Sequence, residues 1–215
     1  MKQSQPETLK NKLIISSIIN STFRVVAKMS PPVIESKNGE KEAILEAAKL
    51  MLIAARTAPK SGGVDDVLTI IVYGKEKNAI AKKMEEIAEK RKNKGFRRDA
   101  KNVRDSEALV LIGVRGDKSF GLNCGACGYK SCKEFKEAKR KFGRDFLGPT
   151  CVFKALDLGI ALGSAVKTAS ILNVDNRIMY RIGAAALKLK LLPEATVIMG
   201  IPMSAKGKSI YFDRK

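Results

Sequence analysis

The chain has 215 residues, enough to bury a substantial core as one domain or as a domain with a small insert, and its 45% hydrophobic content is ordinary for a globular protein. It contains no histidine, which excludes the commonest general base, the commonest nitrogen ligand of zinc and every Ser-His or Cys-His mechanism. The formal net charge of +19 points to an anionic partner, and its distribution along the chain says more than its total.

Residues 1–37 show no clear periodicity. Their most apolar run, residues 13–19, is too short and too polar-flanked to span a bilayer and lacks a small-residue cleavage site. The expectation is a cytoplasmic protein with no membrane insertion. Ser30-Pro-Pro and Ser36-Lys-Asn-Gly39 read as a linker, so residues 1–37 are taken as an extension and 38–215 as one α+β domain. From Glu40, Ala43, Ile44, Ala47, Ala48, Met51, Ile53 and Ala54 recur at helical spacing as far as Ala58-Pro59. Val67–Tyr73 reads as a buried strand closed by Gly74, residues 77–92 as a charged amphipathic helix, and Glu107–Val114 as a second buried strand.

The four cysteines follow, spaced C-x2-C-x4-C-x18-C at Cys124, Cys127, Cys132 and Cys151. Three thiolates within nine residues face one small volume, and Gly125 and Gly128 let backbone N–H groups turn toward cluster sulfur. This spacing points to an iron–sulfur cluster within a segment at 121–152. Structural zinc is the main competitor, but zinc modules usually pair their ligands two and two. A disulfide is the weaker alternative, since nothing places the chain in an oxidising compartment. Ser131 with Glu134 forms a capping box for a helix reaching about Phe142, with Gly143 at its end. Cys151 stands just before a long small-sided helix at 153–172, so Cys132 and Cys151 both fall near helix N-termini, where the dipole favours thiolate. In that helix Asp157 and Lys167 argue against a membrane span. A further helix is expected at 176–190 and a third strand at Ala195–Ile201. The loop Gly200-Ile-Pro-Met-Ser-Ala-Lys-Gly-Lys208 reads either as a surface turn or as a site for a phosphate or another anion, through its amides, Lys206 and Lys208. Arg98, Asp99 and Asn102 form either part of a cofactor wall or a structural ion pair.

Two basic stretches flank the cysteines. Residues 75–104 hold twelve Lys or Arg against five acids, and residues 130–144 hold seven against two. For residues 75–92 a solvated helix face rich in Lys and Glu is the favoured reading; otherwise the stretches suggest a surface for an acidic redox partner protein. Nucleic acid is the alternative, but aromatic residues are sparse there and no RNA- or DNA-reading motif is present.

Three resemblances sharpen these readings. The C-x2-C-G-x3-C core with its distant fourth cysteine is similar to the [4Fe-4S] domain of corrinoid iron–sulfur proteins and of membrane electron-transport subunits. Ala54-Ala-Arg-Thr-Ala-Pro-Lys60, Arg98-Asp-Ala with Asn102, the cysteines, Asp157-Leu-Gly-Ile-Ala161, Gly163-Ser-Ala-Val-Lys-Thr168, Asp175-Asn-Arg-Ile-Met179 and Gly200-Ile-Pro with Phe212-Asp-Arg214 together resemble the uncharacterised bacterial and archaeal proteins containing a ferredoxin domain. The segment ending in Ala-Ala-Arg-Thr-Ala-Pro, then Ser61-Gly62 and a strand, with the Gly159-containing helix, resembles the nitroreductase-like flavoproteins. That last resemblance implies a mixed sheet with packed helices, a homodimer and FMN at the subunit interface. By it Arg56, Lys60 and Ser61 lie near flavin and Lys206 or Lys208 reaches its phosphate. Two features depart from that pattern. Paired N-terminal arginines are missing, Arg24 being a lone candidate, and Gly63-Val-Asp-Asp66 puts carboxylates where an anionic phosphate would be repelled. The expectation is an iron–sulfur electron-transfer protein, with flavin-dependent oxidoreductase activity if FMN is bound. The rival is a non-enzymatic, metal-bearing basic module that binds nucleic acid or serves a larger complex.

Overall fold

A computed structural model describes residues 33–212, so the apolar run at 13–19 and Arg24 lie outside the described residues. The chain divides into two compact units, residues 1–39 and 40–215. Of the first, residues 33–39 are described; they open helix α1 (Ser36–Thr57), where a linker was expected. The N–H groups of Asn38 and Gly39 both donate to Glu35 O at 3.0 Å, which starts helical hydrogen bonding inside that polar stretch.

The second unit is built on a four-stranded sheet in the order β1 (Val67–Tyr73), β2 (Ala108–Val114), β6 (Val197–Ser204), β5 (Asp175–Asn176). Every pairing among these strands is antiparallel, where a mixed sheet was expected. Strand β2 is central and buried along its whole length, which explains its unbroken apolar sequence. Its residues alternate between two cores. Ala108, Val110, Ile112 and Val114 face α1 and the long helix α5 (Val152–Ile171). Leu109 and Leu111 face α2 (Gly74–Arg91), α3 (Lys94–Asp105) and α6 (Tyr180–Lys188). Packed helices on both faces of the sheet confirm the α+β class.

Several boundaries differ from expectation. Helix α3 was not expected at all, although Asn93 caps it by accepting from Phe96 N at 3.1 Å and Phe96, Ala100 and Val103 make its buried stripe. Buried Asp99 and Asn102 interrupt that pattern in the sequence. The expected 176–190 helix is shortened to Tyr180–Lys188, because Asp175–Asn176 pairs with the end of β6. Strand β6 starts at Val197 and runs to Ser204, taking up half of the supposed anion loop.

Candidate metal centre

Strand β2 delivers the chain to the cysteines. Gly116 N–H donates to Thr196 Oγ1 at 2.9 Å, and Cys151 N–H returns to Gly116 O at 2.8 Å, so the last cysteine is pinned beside the end of the central strand. A Cβ on Gly116 would lie 2.3 Å from Thr196 Oγ1, so only glycine permits this approach. Cys151 then caps α5.

The other three cysteines sit on a loop that ends in α4 (Cys132–Glu137), a helix of six residues where one reaching about Phe142 was expected. Ser131 caps it as expected, accepting from Glu134 N at 3.2 Å, while Glu134 Oε2 accepts from Lys130 N at 3.2 Å. The helix stops because the following residues are used otherwise. Lys141–Phe142 (β3) and Leu147–Gly148 (β4) form a hairpin, tied to α2 by Arg91–Asp145 at 2.6 Å and to the residue before β6 by Leu147 N–H on Thr196 O at 3.0 Å. Arg140 folds back over the buried Phe135 ring at 4.4 Å and donates to Phe135 O, Asp117 O and Pro149 O at 3.1–3.3 Å. One guanidinium thus staples the entry, the helix and the exit of the cysteine segment.

All four cysteines line one concavity with Ser119, Phe120, Asn123, Tyr129 and Phe153. Cys124 is exposed, Cys127 and Cys132 are half-buried and Cys151 is buried; all four thiols are free. Among the described residues, no three His, Cys, Asp or Glu side chains gather as they would on a single metal ion. Asn123, at φ +50°, clasps Cys132 in both directions. Its N–H donates to Cys132 Sγ at 3.4 Å, and its Oδ1 accepts from Cys132 N at 2.8 Å. Gly125 and Gly128, with φ of +74° and +88°, make the turn between Cys124 and Cys132. The Asn123 N–H holds the Cys132 thiol below its ordinary pKa against the effect of burial, helped by Gly121, Ser119 and Lys136. Ser119 Oγ is buried on this wall, beside the Cys132 thiol. Soft thiols, an N–H on sulfur and a buried hydroxyl beside it fit a sulfide-containing cluster.

Behind this wall lies the turn Ser61–Gly63. A Cβ on Gly62, at φ +58°, would lie 2.6 Å from the Phe120 ring, and Phe120 stacks on Phe153 at 5.4 Å. Helix α5 grips the same turn. Asp157 Oδ1 accepts from both Ser61 N and Ser61 Oγ at 2.8 Å, while buried Lys154 reaches Asp66 at 2.8 Å, Val64 O at 3.2 Å and Asp157 at 3.7 Å.

A family model described as an uncharacterized protein containing a ferredoxin domain matches residues 147–214, and a model named for an Fe-S cluster matches residues 121–143. A protein of Archaeoglobus fulgidus described only as uncharacterized is 54% identical over 181 residues, 84% of this chain and 97% of that one. The chain belongs to the ferredoxin-domain family. Among solved structures, the nitroreductase CinD from Lactococcus lactis, in complex with nicotinic acid, aligns with a TM-score of 0.50 at 13% identity, over 83% of each chain. The hypothetical oxidoreductase YcnD from Bacillus subtilis aligns with a TM-score of 0.46 at 16% identity, over 76% of this chain. The chain spans 58% of the length of YcnD. The fold of this ferredoxin-domain protein is nitroreductase-like.

The remaining expected site residues fall into two groups. Arg56, Lys60 and Ser61 come together beside the cysteine wall, each with a partner inside the protein. Arg56 pairs with Asp65 and donates to Val67 O at 3.0 Å. Lys60 Nζ closes the end of α1 on Ala55 O, Arg56 O and Ala58 O at 2.5–2.8 Å, and burial lowers its pKa. Asp65 and Asp66, expected to repel phosphate, are offset by Arg56 and Lys154. Lys206 and Lys208 belong to the opposite end of the sheet, about 20 Å away along the seven residues of β2. There Lys206 donates to Asp105 O and approaches Glu107 at 3.9 Å, and Lys208 is exposed. One small cofactor within one chain does not bridge the two groups. Arg98 and Asp99 resolve as a structural ion pair, with Arg181 as a third member at 2.7 Å. Sequence reasoning missed Phe120, Asn123 and Arg140. Asn before Cys124 is a residue that tolerates positive φ, whereas Arg140 carries no local signal because its role depends on the returning hairpin.

Proposed function

We propose that this protein is a redox protein of the cytoplasm that holds one [4Fe-4S] cluster on Cys124, Cys127, Cys132 and Cys151 and exchanges electrons with FMN and with an acidic partner protein. The carrying observation is that all four free thiols line one concavity, with the Asn123 N–H donating to sulfur within it. Such a cluster supplies one-electron exchange, and FMN beside it would convert that into two-electron chemistry.

The chain's own residues do the rest. Asn123, Ser119 and the N-terminus of α5 donate toward sulfur or favour its negative charge, and Arg140 keeps the two halves of the ligand set in register. Phe120 and Phe153 exclude water between the cysteines and the Ser61 turn, the place the nitroreductase resemblance implies for flavin. Cys124 is the exposed edge, and exposed Lys130, Lys133 and Lys136 beside it supply positive charge for docking. The outward stripe Leu156, Gly159, Ile160 and Gly163 of α5 is exposed and apolar, with two glycines that allow close approach, which supports a homodimer closing there.

The test is anaerobic purification followed by assay of iron, acid-labile sulfide, zinc and released flavin, with visible spectra before and after dithionite. About four irons and about four sulfides per chain with bleaching is the expected result. Zinc without sulfide would sink the redox reading, and absent flavin would remove the FMN part alone.

A further inference from the structure

Arginine recurs around the start of α6. Arg177 precedes the helix and Arg181 lies in its first turn, while Arg98 stands on α3. The fold gathers all three. Arg98, Asp99, Arg177, Tyr180, Arg181 and Tyr211 line one cavity of about 200 Å³, with walls from α3, the start of α6 and the closing segment. None of these residues lines the cysteine concavity.

Asp99 is the one carboxylate in that lining, and both of its oxygens are taken. Its Oδ1 accepts from Arg98 Nε at 2.9 Å and from Arg98 Nη2 at 2.7 Å, and its Oδ2 accepts from Arg181 Nη1 at 2.7 Å. Arg177 lies over the Phe212 ring at 4.7 Å and, among the described residues, pairs with no carboxylate. Three guanidinium groups against one carboxylate leave the lining with an excess of two positive charges.

Arg181 is fixed in place. A Cβ on Gly95 would lie 2.8 Å from both its Cζ and its Nη2, so the guanidinium rests against the first turn of α3, and it spans the rings of Tyr180 at 5.0 Å and Phe96 at 5.7 Å. Like charges held in a partly enclosed space repel more strongly than in water, because the effective dielectric falls. Asp99 offsets only one of them. A guanidinium fork matches phosphate oxygens in geometry as well as in charge. The guanidinium groups carry the site and the helix start reinforces it: Met179 gives α6 no side-chain cap and the first turn holds no acid, which leaves its N–H groups open to an acceptor. The cavity is smaller than the ~300 Å³ at which pockets for drug-sized molecules begin, so it takes the charged head of a ligand rather than a whole flavin or dinucleotide.

We propose that Arg98, Arg177 and Arg181 form a binding site for a phosphate group, free or as a monoester. Asp99 holds Arg98 and Arg181 in position, and Arg177, the member without a carboxylate, closes on the anion. The site stands apart from the cysteines, and its occupancy does not depend on what they hold.

The test titrates inorganic phosphate and glycerol phosphate by calorimetry into the full chain with its metal centre as purified, at constant ionic strength with chloride as the balancing anion. Saturable binding of one phosphate per chain is expected, weakened about tenfold or more in Arg177→Gln. Arg97→Gln removes the same charge from an exposed position of α3 outside the cavity and should bind like the parent. Arg177 takes no part in the Asp99 pairs, so Arg177→Gln should unfold in chloride at the parent's Tm, which separates a lost contact from a damaged fold. Tighter binding of the ester would support the site with an organic phosphate as its ligand, and equal binding would support it with free phosphate. Absence of saturable binding by either probe, an Arg177→Gln chain that binds like the parent, or equal weakening in Arg97→Gln, as diffuse surface charge would give, would overturn the proposal.

Discussion

Asn123 shows how much one side chain contributes to the cysteine loop. Its positive φ directs its N–H onto Cys132 Sγ, and its Oδ1 holds Cys132 N, so one residue fixes the sulfur from two sides. Alanine loses the acceptor and resists that φ, at a combined cost of about 1–3 kcal/mol, whereas glycine loses only the acceptor. Bleaching of the cluster chromophore by chelator should accordingly be fastest in Asn123→Ala, intermediate in Asn123→Gly and slowest in the parent. Equal rates would remove Asn123 from the site. Asp65 sets a pH dependence. Burial works against its charge, yet Arg56 and the N–H of Val67 hold its carboxyl below the ordinary 3.8. A depressed folded pKa contributes stability that is full above the unfolded value and lost as pH falls through the folded one. Urea midpoints compared at about pH 5 and about pH 2.5 should show Asp65→Asn losing less on acidification than the parent.

At the scale of elements, what could be read in the sequence was what local pattern determines. Strand β1 matches its expected bounds, β2 differs by one residue and α5 by one at each end, because long apolar runs and an unbroken helical stripe leave few alternatives. The misreadings share a cause, since each depends on a distant partner. Helix α4 ends early because Arg140 is needed at Asp117 and Pro149, α6 starts late because Asp175 pairs with β6, and α3 hides its stripe behind Asp99, whose charge Arg181 offsets from another helix. The same dependence explains why the four cysteines stood out in the sequence but their clasp, staple and wall did not. Helix α6 and strand β6 lock by reciprocal notches. A Cβ on Gly183 would sit 1.6 Å from Ile198 O, and one on Gly200 would sit 2.2 Å from Ile182 Cγ2. The first clash is with backbone, which cannot step aside. Gly183→Ala should cost about 3 kcal/mol or more, measured by urea unfolding. A neutral result would mean that α6 does not approach the sheet this closely.

For the second unit as a whole, the decisive question is whether the proposed metal centre carries the fold or is carried by it. Neither core draws a buried residue from positions 116–150, where Phe135 is buried apart and Phe146 only packs against one edge. The sheet and its helices therefore have their apolar burial without the cysteine segment. That segment is instead fastened by single contacts: Arg140, Cys151 N–H on Gly116 O and the hairpin's attachment to Thr196. This is the reverse of a small zinc module, whose fold collapses without its ion. Stripping the metal with chelator under reducing conditions should leave far-UV ellipticity and a cooperative thermal transition in place. Hydrogen exchange should lose protection in residues 119–137, while amides of β1, β2 and β6 stay protected, since local opening is set by local contacts rather than by the global stability. Global unfolding on metal removal would show that the cysteines hold the sheet together, and would turn the assignment of the stabilising core around.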